Sequence, residues 1–249
     1  MRLLLFCTYF IILVGMLSPV HSQTAATIVD QVIEKAGGSS YDQAVIHFTF
    51  RGQKFRSQRN FGMYTLERTI VKESDQINDI VSNYGLERLI NGCVIPVEDS
   101  LVTKISDNVN AVHYFALLPF GLNAPAVNKK FIGETIIDNK VYYKIEVTFN
   151  KDGGGTDYED EFMYWIDKDT YNVDYFAYRY AVNGGGIRFR KAINPRVING
   201  LRFVDYINYK TDVLETSLEK LTELYTLNKL TKVSEIILED INVHIAAYQ

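Results

Sequence analysis

Apolar and polar positions change period several times along the chain, and each change marks an element. Ile28, Val29, Val32, Ile33 and Ala36 recur at the spacing of one helical stripe, and Gly37-Gly38 follow, so the pattern predicts a helix over 27–36 with a glycine stop. From Ala44 the period drops to two. Ala44, Ile46, Phe48 and Phe50 alternate with Val45, His47, Thr49 and Arg51, and Gly52 turns the chain into a return strand at 54–59. A third strand is predicted across 63–73 from the alternation of Tyr64, Leu66, Arg68 and Ile70 with their neighbours. Val102, Ile105, Val109, Val112 and Ala116 return to helical spacing before Pro119 and Gly121. The stretch from Tyr114 to Leu122 is too apolar for a solvent loop, so it is expected either to plug a core or to cover a cavity.

Beyond Phe131 strands dominate. Val141, Tyr143, Ile145, Val147 and Phe149 point one way and Tyr142, Lys144, Glu146 and Thr148 the other, after a turn at Asp138-Asn139-Lys140. Further strands are predicted at 161–166, 173–180, 187–192 and 201–209, and 233–245 reads as an edge or closing strand; 213–230 fits neither period. Strand follows strand at hairpin distance without intervening helices, which predicts an antiparallel sheet and disfavours βαβ architectures. The fold class expected is α+β, with a strongly curved antiparallel sheet and covering helices.

Composition narrows the partners. The 249 residues are 47% hydrophobic and 22% charged, the profile of a chain that buries a core. Lysines and arginines number 26 against 30 acids, a net charge of −4, which offers no broad basic field for a phosphate backbone, so nucleic acid is not an expected partner. Aromatics reach 13%, with 17 tyrosines and 14 phenylalanines, which favours strands and large buried or ligand-facing surfaces.

Arg2, an apolar run from Leu3 to Leu17, and Ser18-Pro19-Val20-His21-Ser22 stand in the order of a secretory signal, predicted over 1–22. The run is shorter than the roughly 20 residues of a membrane-crossing helix, so an integral membrane protein is not expected. Cleavage would leave residues 23–249 as a single domain with a charge of −5 and with Cys93 as its one cysteine, which rules out an intramolecular disulfide and is expected to be a buried structural thiol.

No catalytic signature emerges. The loop Lys151-Asp152-Gly153-Gly154-Gly155-Thr156-Asp157 lacks the Gly-Lys-Ser/Thr ending of a phosphate loop and reads as a flexible hairpin. Asp157, Glu159, Asp160 and Glu161 are dense enough in carboxylates to suggest calcium or acid–base work, but EF-hand spacing is absent. His47, His113 and His244 lack zinc-ligand spacing. No metal and no cofactor are expected. Arg188 and Arg190 share a strand face near Arg179, Arg196 and Arg202; they are expected either to pair with Asp157, Glu159, Glu161 or Asp205 across strands or to receive an anionic head group. Trp165 with Tyr164, Tyr171, Tyr175, Phe176, Tyr178 and Tyr180 forms an aromatic tract on both faces of two strands, which implies cover on both sides.

The tract Phe162-Met163-Tyr164-Trp165-Ile166-Asp167-Lys168-Asp169-Thr170, its aromatic return strand and the later Val197-Ile198-Asn199-Gly200-Leu201-Arg202-Phe203 resemble periplasmic lipoprotein carriers of the LolA type and their secreted relatives over residues 130–210. The first hundred residues are similar only in the order of helix and long hairpins. That resemblance implies an incomplete antiparallel barrel with helices across its mouth and an apolar hollow that accepts acyl chains. On this basis the chain is expected to act without chemistry as a carrier of a lipid or other amphiphile in the periplasm or outside the cell, with an envelope protein as a further partner. Phe48, Phe50, Tyr64, Leu66, Phe115, Leu118, Trp165, Arg188 and Arg190 are its candidate ligand-binding residues. The alternatives are an envelope-associated hydrolase using the carboxylates near 157–161 and a carbohydrate-binding module built on Trp165 and the tyrosines.

Overall fold

A computed structural model describes residues 24–245. The export segment expected at 1–22, including Cys7, lies outside the described residues. Helix α1 (Ala25–Ala36) starts at a capping box: Thr24 Oγ1 accepts from the Thr27 amide at 3.2 Å while Thr27 Oγ1 accepts from the Thr24 amide at 2.9 Å. Its stripe of Ile28, Val29, Val32 and Ala36 is buried, and it stops at Gly37, whose φ of 141° and close approach to Leu201 leave no room for a side chain.

Six strands then form one antiparallel meander: β1 (Ala44–Phe50), β2 (Gln53–Asn60), β3 (Met63–Lys72), β4 (Asp75–Ser82), β5 (Gly85–Ile90) and β6 (Cys93–Ile95). Helix α2 (Asp99–Ala116) follows. A second meander comprises β7 (Val127–Ile137), β8 (Lys140–Phe149), β9 (Glu161–Asp167), β10 (Val173–Tyr180), β11 (Gly186–Ile198) and β12 (Leu201–Thr211). A short helix, α3 (Leu221–Thr226), leads to β13 (Thr231–Ile236) and β14 (Glu239–Ile245). Strand β13 completes the second sheet beside β12, while β14 crosses to the first and pairs with β1. The result is two seven-stranded antiparallel sheets, neither closed on itself. Register shifts at Phe131/Gly133, Ile193/Arg196 and His47/Thr49 bend the strands.

The joint between sheets is pinned by a buried carboxylate. Asp205 Oδ1 accepts from the Leu238 amide at 2.9 Å and from Arg196 Nη2 at 2.9 Å, and Arg196 Nη2 also donates to the Leu238 carbonyl at 2.7 Å. The expected single strand over 233–245 is therefore two strands, broken where Ile237-Leu238 carries the chain from one sheet to the other.

The second sheet is covered on both faces, as its two-faced aromatic pattern requires. On the inner face Ile145, Tyr164 and Phe176 pack with Ile28, Val32 and Leu122. On the outer face Trp165, Tyr175 and Phe189 pack beneath Leu218 and Leu221, so the segment that fitted neither period is the cover of an outer core. The first sheet buries Ile46, Phe48 and Phe55 against Leu117, and Leu66 and Val81 against Val109 of α2.

Three strands, β4 to β6, occupy the region between the predicted third strand and the predicted second helix, and Cys93 at the start of β6 is exposed, which corrects the expectation of a buried thiol. The physical reason is position: β6 is a three-residue edge strand with no cover over its side chains.

Candidate functional site

Helix α2 runs between the inner faces of the two sheets, and the spaces beside it form the site. One cavity of about 230 Å³ lies against the second sheet; Phe50, Val112, Phe115, Val204, Ile236 and Leu238 give it an apolar wall, and Arg190 and Asn208 a polar corner. A wider one of about 880 Å³ opens between α1, α2 and the first sheet, with Ile33, Leu66, His113 and Phe120 on its walls. A third, of about 280 Å³, lies where Phe115 and Phe162 meet the glycine loop and Asp107, Asp157 and Asp160. Ala111 and Phe115 border both the first and the third, so the apolar surface along α2 is shared.

Strand register puts one row of side chains across the inner face of the second sheet: Ile145, Tyr164, Phe176, Arg190, Asn208 and Ser234 face one another in turn from β8 to β13. The guanidinium of Arg190 stands in this row 4.1 Å from the ring centre of Phe115, 5.2 Å from that of Tyr178 and 5.3 Å from that of Phe176. Its Nη2 donates to the Tyr178 hydroxyl at 2.9 Å. Nε and Nη1 have no hydrogen-bond partner, nor does Oδ1 of Asn208. Arg190 is only 7% exposed, and burial pulls its pKa below the usual arginine value against the phenols of Tyr178, Tyr206 and Tyr164.

Of the candidate residues, the structure brings Phe50, Phe115 and Arg190 together on one cavity. Phe48 is buried in the first sheet's core, stacked on Phe55 with its ring centre 5.2 Å away; Leu66 borders the wide cavity, and Tyr64 packs partly buried beside it. Leu118 is packed in the core beneath α1. Trp165 points away from these cavities into the outer core, and Arg188 lies over the Tyr180 ring at 5.1 Å and donates to its own strand's Ile187 carbonyl at 3.0 Å. Cross-strand pairing is found for Arg196 with Asp205 and for Arg179 with Glu161, whereas Arg188 and Arg190 take aromatic faces instead. Sequence reasoning did not single out Asn208, Val204 and Tyr206. Their signal is the i, i+2, i+4 alternation along β12, which ends an apolar row on an amide.

The glycine loop is part of the long turn-rich connection between β8 and β9, closely packed at Gly154, where a side chain would stand 2.1 Å from the Asn150 carbonyl oxygen. Beside it, burial and then the nearby Asp157 raise the Asp160 carboxyl to about 7, opposed by a hydrogen bond from the Ala181 backbone. Among the described residues no group of three or more His, Cys, Asp or Glu side chains is placed to hold a metal ion, and no helix is long and apolar enough to cross a membrane.

Two open, curved antiparallel sheets with a helix laid through the hollow define a LolA-like fold. Among solved structures the chain is similar to a LolA superfamily protein from Nitrosomonas europaea, at 13% identity and a TM-score of 0.50 over 91% of this chain and 96% of that one. It is also similar to a DUF1329 family protein from Desulfovibrio piger, at 12% identity and a TM-score of 0.46 over the same shares, 91% and 96%. The chain belongs to DUF6503, a family of unknown function whose model matches residues 10–239. Comparison with curated proteins gives no match.

Proposed function

We propose that this protein binds a lipid or another amphiphile in the hollow beside α2 and carries it without chemistry, in the periplasm or outside the cell. The observation that carries the reading is the apolar wall of Phe50, Val112, Phe115, Val204, Ile236 and Leu238 around a space left unfilled between the two sheets. Burying a twelve-carbon chain at about 0.8 kcal/mol per methylene gives roughly 10 kcal/mol before the costs of association, so a dry hollow can hold a tail with few polar contacts. The resemblance in sequence and the LolA-like fold support the same reading. An envelope protein would load or unload the ligand, and the 1–22 segment would direct export.

Ala111 gives a test that spares the core, because it is exposed on α2 yet borders two of the cavities. Protein purified under mild conditions is expected to release lipid on solvent extraction, seen by native mass spectrometry, and to melt at higher temperature with fatty acids or lysophospholipids. Ala111→Trp should melt like the unmodified protein but lose most of the ligand-dependent rise. No co-purifying lipid together with no thermal response to any amphiphile would end the proposal.

A second reading, an envelope hydrolase, is favoured by the raised Asp160 carboxyl, since a general acid needs its proton near neutral pH. It ranks lower because such chemistry wants a partner carboxylate that is both ionised and free to act: burial and then Asp107 raise Asp157 as well, and Glu161 is tied to Arg179 at 3.6 Å. Release of soluble fragments from envelope material, abolished by Asp160→Asn, would promote it. A sugar-stacking platform on Trp165 is not supported, as that ring is fully buried.

A further inference from the structure

The buried guanidinium of Arg190 is a cation without an anion. Among the described residues it makes no salt bridge, and its one hydrogen bond to a side chain goes to a neutral phenol. The rings around it offer their faces to the charge, but Nε and Nη1 find no oxygen or nitrogen acceptor. A buried charge with unspent donors is costly unless something supplies the missing acceptors. Asn208, directly opposite on β12 and 8% exposed, has the same deficit at Oδ1. Turning its amide over would present an N–H donor at that position instead. Both residues form the polar corner of a cavity whose other walls are apolar.

Building on the amphiphile reading above, we propose that Arg190 and Asn208 receive the acidic head, a carboxylate or a phosphate, of a single-chain amphiphile whose tail lies along Val112, Ile236 and Leu238. The head takes over from the Phe115 ring as the partner of the guanidinium and brings in the negative charge the protein does not provide. Hydrogen bonds to an ionised group are shorter and about twice as strong as neutral ones, so the head is a selectivity device as well as an anchor. Arg51, on the same cavity, adds positive potential at its edge.

The test titrates protein stripped of co-purifying lipid with four ligands: dodecanoate, dodecyl phosphate, dodecanol and inorganic phosphate. At least one of the two acidic twelve-carbon ligands should bind on the order of tenfold to a hundredfold tighter than dodecanol, and which of them does so tells a carboxylate head from a phosphate head. Arg190→Gln should erase that preference, bringing the two acids to the affinity of dodecanol. Arg190→Met, which removes the uncompensated charge and keeps the stem, should do the same and melt no lower than the unmodified protein without ligand. Equal binding of dodecanol and the acids, or a preference that survives both substitutions, overturns the acidic head but leaves the amphiphile reading standing. Inorganic phosphate binding as tightly as dodecyl phosphate would make this a site for a free anion and overturn the proposal. No binding of any alkyl ligand removes the amphiphile reading itself.

Discussion

Asp79→Ala is expected to cost about 3–5 kcal/mol of folding stability, the range for removing one partner of a buried ion pair. Asp79 lies in β4 with its side chain fully buried. Its Oδ2 accepts from Arg68 Nη2 at 2.7 Å, and its Oδ1 from Arg88 Nε at 2.6 Å. Burial alone would raise this carboxyl, but the hydrogen bonds from Arg88 and Arg68 overcome it and hold the group below the usual carboxylate range. Without the acid, two guanidiniums face each other across β4, and Arg68, whose Nε already lacks a partner, becomes an uncompensated buried charge. For a fold whose net stability is of the order of 5–15 kcal/mol, that loss shows as a large drop in the urea midpoint. Replacing Arg68, Asp79 and Arg88 together by leucine should recover most of it, since no unpaired charge remains. A single-mutant loss below about 1 kcal/mol would mean that water screens the trio as it does a surface pair.

The contrast between the sheets gives this trio its meaning. On the first sheet, Arg68 and Arg88 lie on strands either side of a buried acid, and that face is electrically closed. On the second, Arg190 is more deeply buried than either, with aromatic rings and no acid around it. Asp205, a deeply buried carboxylate on the neighbouring β12, is already engaged by Arg196 and the Leu238 amide. The same fold therefore shows arginines whose charge is met by a buried acid, and Arg190 departs from them.

How much of this was legible in the sequence follows from which forces are local. Period-two alternation located β1 to β3 and β8 to β12, and the helical stripe located α1 and α2, because each pattern reports a face that a neighbouring layer must cover. Strands β5 and β6 escaped because neither has a fully buried side chain, so alternation has little to record, and β4 because its buried row mixes the charged Asp79 with Val81. The division of 233–245 into two strands depends on Asp205 and Arg196, more than thirty residues away, which no window across the break contains. At the site, the pairing of Phe115 with Arg190 was within reach, since both were candidates. What the sequence could not supply was the face: Trp165 is the next residue after Tyr164, and only the register decides which of the two meets the hollow.

Acid is expected to loosen the hollow through His113. This residue of α2 is 1% exposed, stands edge-on against the stacked rings of Phe48 and Phe55, and shares a 3.1 Å hydrogen bond through Nε2 with the Glu67 carbonyl, while Nδ1 has no partner. Burial lowers its pKa from 6.5 to about 4, opposed by the Glu67 hydrogen bond and assisted by the positive charge of Arg59. The buried ring is therefore neutral in the fold and takes a proton more readily in the unfolded chain. Stability from this group is complete above pH 6.5 and is lost as pH falls toward 4, by about 3 kcal/mol at 1.36 kcal/mol per pKa unit. The raised carboxyl of Asp160 works in the opposite direction, because it keeps its proton in the fold up to about pH 7 and so favours the folded chain as the medium becomes acidic. Urea unfolding at pH 7.5 and pH 4.5, in the unmodified chain and in His113→Phe, separates the two: the substitution should remove the imidazole's share of the acid loss and leave the carboxylate contribution in place. Identical pH dependence in both proteins would mean that water reaches His113 and that α2 seals the wide cavity less tightly than its burial indicates.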